Sequence, residues 1–278
     1  MKLVEITLCT NRSAAIKEFY GTVLGLDILE DQPGRLSFRA GESVLAFREN
    51  AAADQSFYHI AFTIPTNKMS EAKQWATARG ITLFSREGQE EFSFESWHAS
   101  ALYFYDPDDN LIEFIAHHTL DNASTEAFGP EQLLRISEIG LPVDDVPDVA
   151  SKLKRMFQLE MWGGDGQQFT PLGDAEGVLI VVDRRRPWFP DGRVPTVFET
   201  AVKISGTVPA SHSADSTAEG KVLASESADG MAESKVLASE SADGTAEGKV
   251  LASDSAESTA SGSVSLVFQD GLYELESV

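Results

Sequence analysis

Glu5, His59 and Glu138 occupy one position in three stretches that share a frame: Glu5-Ile6-Thr7-Leu8, His59-Ile60-Ala61-Phe62 and Glu138-Ile139-Gly140-Leu141. In each, a carboxylate or imidazole precedes Ile, a small residue and a large apolar one. An imidazole with carboxylates is a donor set for a divalent cation, and the same groups carry protons in general acid–base work. Two further groups belong to the second copy. His98 and Tyr103 lie on the approach to, and within, its third strand, where either can act as general acid or base on a substrate oxygen. Phe92, Phe94 and Trp97 beside them are candidates for an aromatic lid. Arg39 and Arg48 of the first copy are candidates for pairing with a substrate carboxylate. His117-His118 reads as a solvated pair at the end of a strand.

The elements that must position these residues repeat as well. In the first module Val4, Ile6 and Leu8 alternate as in a half-buried strand. Asn11-Arg12-Ser13 then supplies a helix start, and Gly25 is the expected stop. Strands at 26–30, 36–39 and 44–48 follow, with turns at Pro33-Gly34 and Gly41-Glu42. The order is β-α-β-β-β. The second module repeats it over 57–116, with a helix near Met69–Arg79 ending at Gly80. Its closing turn, Asp106-Pro107-Asp108-Asp109-Asn110, is rich in side chains that cap their own backbone and tolerate left-handed geometry. A third module spans 134–182, with a helix from about Val146 to Phe157.

The C-terminal part differs in kind. Arg184-Arg185-Arg186-Pro187-Trp188-Phe189-Pro190 is a basic and aromatic loop, and Thr200–Ile204 is strand-like. Three near-identical 14-residue repeats begin at Thr217, Met231 and Thr245. One Val-Leu pair per repeat is too little apolar surface to offset chain entropy, so a disordered or weakly β insertion is expected. Val264–Phe268 and Leu272–Glu276 flank it as strands.

Length allows one or two domains. With 22 Lys and Arg against 44 Asp and Glu, the net charge is −22, which argues against nucleic acid or an anionic membrane as partner. The single cysteine, Cys9, lies in an apolar strand pattern and reads as a buried, inert thiol. The first residues enter strand-like sequence directly and there is no apolar run of about 20 residues, so a cytoplasmic location is expected.

Repeated β-α-β-β-β modules, Phe19-Tyr20 with Leu24-Gly25-Leu26 in the first helix, and Tyr105-Asp106-Pro107-Asp108-Asp109-Asn110-Leu111-Ile112-Glu113-Phe114 closing module two together resemble the vicinal oxygen chelate superfamily. That superfamily includes glyoxalases, extradiol ring-cleaving dioxygenases and bleomycin-resistance proteins. The resemblance is strongest over 1–118 and weaker over 134–183. It implies an α+β fold in which two modules pair into a half-open β cup with helices outside. Here that means paired modules over 1–118 (1–50 and 56–118), a third module with a terminal strand over 119–206, the acidic repeats over 207–262 and C-terminal strands over 263–278. An odd number of modules leaves one copy unpaired unless the C-terminal strands or a second chain complete it. Module three can also serve as an intramolecular partner.

The resemblance further implies metal ligands on the first and last strands of each module. Carried over, these positions are Glu5 and His59, then Ala46 and Glu113. The expected site is therefore Glu5, His59 and Glu113 between modules one and two, with one corner lost to Ala46. Glu138, whose last-strand partner is Ile180, is expected to be structural or interfacial. One imidazole and two carboxylates form a hard site suited to Fe(II), Mn or Mg more than to Zn. Three readings follow. The first is a divalent-metal-dependent enzyme, glyoxalase- or ring-cleaving dioxygenase-like, acting on a small oxygen-bearing molecule, as a monomer or homodimer. The second is a metal-free binding or resistance-type protein. The third is a partner-binding protein.

Overall fold

The computed structural model describes residues 1–51, 56–207, 261–269 and 272–277; the 14-residue repeats fall outside them. The elements in chain order are β1 (Lys2–Thr10), α1 (Ser13–Lys17), β2 (Asp27–Gln32), β3 (Arg35–Ala40), β4 (Ser43–Glu49), β5 (His59–Thr63), α2 (Met69–Ala78), β6 (Phe92–Phe94), β7 (Ala99–Tyr105), β8 (Leu111–His117), β9 (Arg135–Val143), α3 (Val146–Phe157), β10 (Phe169–Asp174), β11 (Gly177–Asp183), β12 (Thr200–Thr207), β13 (Ser261–Gln269) and β14 (Leu272–Ser277). The fold is α+β, with the expected module order.

The helices begin and end where local chemistry dictates. Asp145 caps α3 by accepting from the Asp148 N–H at 3.0 Å, and Pro147 stands in the first turn. Beyond α2, Gly80 takes φ +78, the left-handed geometry of a helix stop. The first helix departs from expectation. After α1 the chain widens into a π turn over Glu18–Val23 before Gly25 at φ +72.

Module pairing is the main correction to the sequence reading. The strands form two seven-stranded sheets, ordered β14-β13-β12-β1-β4-β3-β2 and β10-β11-β9-β5-β8-β7-β6. The first strand of module two, β5, pairs antiparallel with β9, the first strand of module three. The first strand of module one, β1, pairs antiparallel with β12 instead. Modules two and three therefore share one sheet, and module one shares the other with the C-terminal strands. The residue pattern explains this. β5 and β9 are buried along nearly their whole length, so each needs neighbours on both edges and apolar cover on both faces.

The second sheet divides its residues by face. Ile60, Phe62, Leu102, Phe104, Ile112, Phe114, Ile139, Leu141, Leu179 and Val181 point into the main core, shared with the first sheet and the helices. Ala61, Tyr103, Ile115, Val178, Ile180 and Val182 line the opposite, concave face. Alternation along each strand makes this split, and it sends His59 and Glu113 to the concave face.

The turn between β7 and β8 holds the module together. Asp106 Oδ1 accepts from the N–H groups of Asp108 and Asn110, at 2.9 and 3.0 Å, with Asp109 at φ +61. Asp106 Oδ2 accepts from the Tyr20 hydroxyl and from Asn110 Nδ2, both at 2.9 Å. Asn110 Oδ1 in turn accepts from the Tyr58 N–H at 2.9 Å. Asn110 is fully buried and ties the starts of β5 and β8 together. Asn110→Ala strands the Tyr58 N–H and part of Asp106, so we expect a loss of about 2–3 kcal/mol, measured as a lower urea midpoint.

Candidate metal centre

Three adjacent strands, β8-β5-β9, converge on Ala61. In register, Ala61 faces Glu113 on β8 and Glu138 on β9, while His59 lies two residues earlier on the same face. The small side chain of Ala61 leaves room between the two carboxylates. His59 Nε2 lies 3.4 Å from Glu113 Oε2 and 3.9 Å from Glu138 Oε2. One ligand atom from each of the three falls within 4.8 Å of the others. All three side chains are buried, none more than 4% exposed. Ile180 on β11 fills the fourth corner, as expected from sequence.

Each side chain is held ready. His59 Nδ1 lies 3.2 Å from the Leu111 carbonyl. An acceptor there calls for a proton on Nδ1, which leaves Nε2 unprotonated, its lone pair facing the carboxylates as a metal ligand requires. Glu138 has its carboxyl pKa raised well above the usual range, first by burial and then by the neighbouring Glu113 charge. Its Oε1 has no hydrogen-bond donor. Tyr103 on β7 stands opposite Glu113; burial, then the charges of Glu113 and Glu138, push the phenol well above its ordinary value. It therefore remains a proton donor. Two close, buried carboxylates and a carboxylate oxygen without a donor are unfavourable alone and are relieved by a cation. These residues fit a divalent metal.

The structure brings some of the groups expected from sequence together and separates others. His59, Glu113 and Tyr103 come together. Glu5 does not join them, because module one lies in the other sheet. It is clamped between Arg35 Nη2 at 2.9 Å and Lys203 Nζ at 3.0 Å, and Arg35 also pairs with Glu30 at 2.7 Å. Burial raises the Glu5 carboxyl, but the hydrogen bonds from Lys203 and Arg35 outweigh it and hold the pKa below the ordinary range. Glu138 takes the third corner instead. His98 is exposed, in a left-handed turn at φ +46, and lies off the cavity wall. Arg48 pairs with Glu199 and Arg39 is exposed on β3, so neither reaches the site. Phe94 and Trp97 line the cavity, and Phe92 packs behind them on Tyr103.

Two features went unread. The loop after β11 covers the cup: Trp188 packs at a tilt against His59 with ring centres 5.0 Å apart, and Phe189 meets Phe92, Phe94 and Tyr103. Gly140 makes room for it, since a Cβ there would lie 2.6 Å from the Trp188 ring. The only signals in sequence were the aromatic loop itself and the small residue after Ile139. The second feature is His117, two strand pairs beyond Glu113 on the same face. It is fully buried rather than solvated, 3.9 Å from Glu138 Oε1, with no well-formed hydrogen bond to either ring nitrogen.

Residues 2–114 match the profile of the Glyoxalase/Bleomycin resistance protein/Dioxygenase superfamily. These residues belong to the vicinal oxygen chelate superfamily. The vicinal oxygen chelate segment ends just past Glu113, so Glu138 and the closing loop lie beyond it. No curated protein matches the chain. Among solved structures, a putative dioxygenase from Bacillus subtilis is 19% identical with a TM-score of 0.48, covering 66% of this chain and 63% of that one. Lactoylglutathione lyase from Agrobacterium tumefaciens is 19% identical with a TM-score of 0.35, covering 40% and 90%. A fosfomycin resistance protein from Listeria monocytogenes, crystallised with Mn(II), is 19% identical with a TM-score of 0.34, covering 42% and 89%. This chain thus spans less than two thirds of the Bacillus subtilis protein.

Burial pulls the His117 pKa from 6.5 down to about 4, so the folded state holds this imidazole neutral while the unfolded chain protonates it. Its contribution is complete above about pH 6.5 and is lost as pH falls towards 4, by up to about 3 kcal/mol. Urea midpoints measured between pH 7 and 4 should fall less steeply for His117→Phe than for the unaltered protein.

Proposed function

We propose that this protein is a divalent-cation-dependent enzyme acting on a small oxygen-bearing molecule in the cup of modules two and three. His59, Glu113 and Glu138 are the ligands. The observation that carries this reading is that one ligand atom from each of the buried residues His59, Glu113 and Glu138 lies within 4.8 Å of the others, with Glu138 Oε1 lacking a hydrogen-bond donor. One imidazole and two carboxylates favour Mn, Fe(II) or Mg over a structural zinc. Such a cation supplies Lewis-acid stabilisation of an oxyanion on the substrate.

The chain's own residues do the rest. Tyr103 holds a phenolic proton beside Glu113 and is placed to donate it to a substrate oxygen. Trp188 and Phe189 line the cup beside the ligands. Ile180 leaves the fourth corner apolar and unable to coordinate, which keeps positions open for substrate. The cup is closed within one chain, so a second subunit is not needed to assemble it. Among the described residues no helix is long and apolar enough to cross a membrane.

The aromatic lining would also suit a metal-free protein that sequesters a planar ligand, and metal content separates the two. The full chain loaded with Mn(II), passed through gel filtration and assayed for bound metal should retain one tightly held ion. His59→Ala and Glu113→Gln should weaken that ion by at least the roughly 100-fold that loss of a supporting group costs. The same acidic repeats are present in all three proteins, so loose binding there cancels. Equal retention by all three would sink the enzyme reading. Tyr103→Phe should retain the metal, which separates its role from that of the ligands.

A further inference from the structure

The cavity next to the three ligands has a volume of about 370 Å³, and its walls are flat and aromatic. Trp97, which lines it, stacks on Trp162 and lies near-parallel to Phe169, with ring centres 4.8 and 6.4 Å away and planes within 30°. Trp188 and Phe189 line it as well. Parallel rings of this kind accept a planar ligand in offset stacking.

One side chain on this wall has a different character. Three arginines follow β11 in succession. Arg184 pairs with Asp144 at 2.9 Å, and Arg185 forks onto Asp183 at 2.7 and 2.8 Å. Arg186 has no carboxylate within ion-pair distance among the described residues. Its guanidinium lies 4.5 Å from the centre of the Phe169 ring and makes one long bond, 3.4 Å, to the Pro187 carbonyl. The nearby Asp165 is engaged elsewhere, accepting from the N–H groups of Gln167, Gln168 and Phe169. Arg186 lines the cavity.

We propose that the cavity binds a small planar aromatic carboxylate, with Arg186 as the carboxylate anchor; the assignment of this ligand as substrate rests on the reading given under Proposed function. Charge supports the pairing. Two ionised carboxylates and a divalent cation balance, and Arg186 is the cationic side chain of the lining, with Asp165 near it but outside the cavity wall. Geometry supports it too. The Arg186 guanidinium lies over the Phe169 ring, and apart from the long bond from Nη1 to the Pro187 carbonyl its donors are available to two carboxylate oxygens.

Calorimetric titration of the full chain with salicylate and with its neutral near-isostere salicylamide tests this, with Mn(II) present and again in EDTA. Salicylate should bind at least about tenfold more tightly than salicylamide, the lower end of what a charge-assisted fork contributes. Arg186→Gln should remove that preference and leave salicylamide affinity within about twofold, since the ring stack is untouched. The retained salicylamide affinity also shows that the variant is folded. Equal affinity for the two probes, no saturable binding of salicylate, a preference that survives Arg186→Gln, or equal loss of both probes would each overturn the proposal. A preference present in EDTA and abolished by Arg186→Gln upholds the anchor even if the metal reading fails. A bound metal without any preference defeats the anchor alone.

Discussion

The antiparallel ladder between β5 and β9 is the constraint on which the rest of this structure depends. It makes modules two and three one sheet and sets Ala61 opposite Glu138. Because β8 runs on the other edge of β5, the same alanine faces Glu113. Two carboxylates are thereby brought to one buried spot with His59 beside them, an arrangement that desolvation and like-charge repulsion both oppose. A structure that keeps such a cluster must recover the cost elsewhere. The uninterrupted apolar faces of β5, β8, β9 and β11 supply that stability, and a bound cation would relieve the repulsion.

The first sheet shows the same frame put to a different use. Glu5 stands where His59 and Glu138 stand in their modules. Arg35 and Lys203 neutralise it directly, and Ala46 holds the buried last-strand position. With its charge satisfied by side chains, that position needs no ion. The two sheets therefore share architecture and differ in electrostatics: one carboxylate is saturated by cationic side chains, while the other cup keeps its acids close and one oxygen unpaired.

The loop from Arg184 to Arg193 completes the site, and its position depends on small contacts. Trp188 reaches His59 only because Gly140 has no side chain. Arg193 anchors the far end by pairing with Asp191 and lying 3.8 Å from the Phe57 ring centre. Asp191 also accepts from the Tyr105 hydroxyl at 2.9 Å. The cover over the ligands is thus fixed by aromatic packing at one end and a charged network at the other.

The sequence by itself determined the module order, the alternation that separates core from concave face, the capping turn at Asp106–Asn110, and the ligand-type residues His59 and Glu113 with Tyr103 beside them. All of these follow from local period and side-chain chemistry, which act over a few residues. Only the tertiary structure decided which modules pair. That choice exchanged Glu5 for Glu138, buried His117, exposed His98 and brought Trp188 and Arg186 to the cup. Three copies of one frame offer equivalent strand edges, so local pattern cannot rank the pairings. The ranking came from long-range burial, in which β9 covers β5 and the C-terminal strands cover β1.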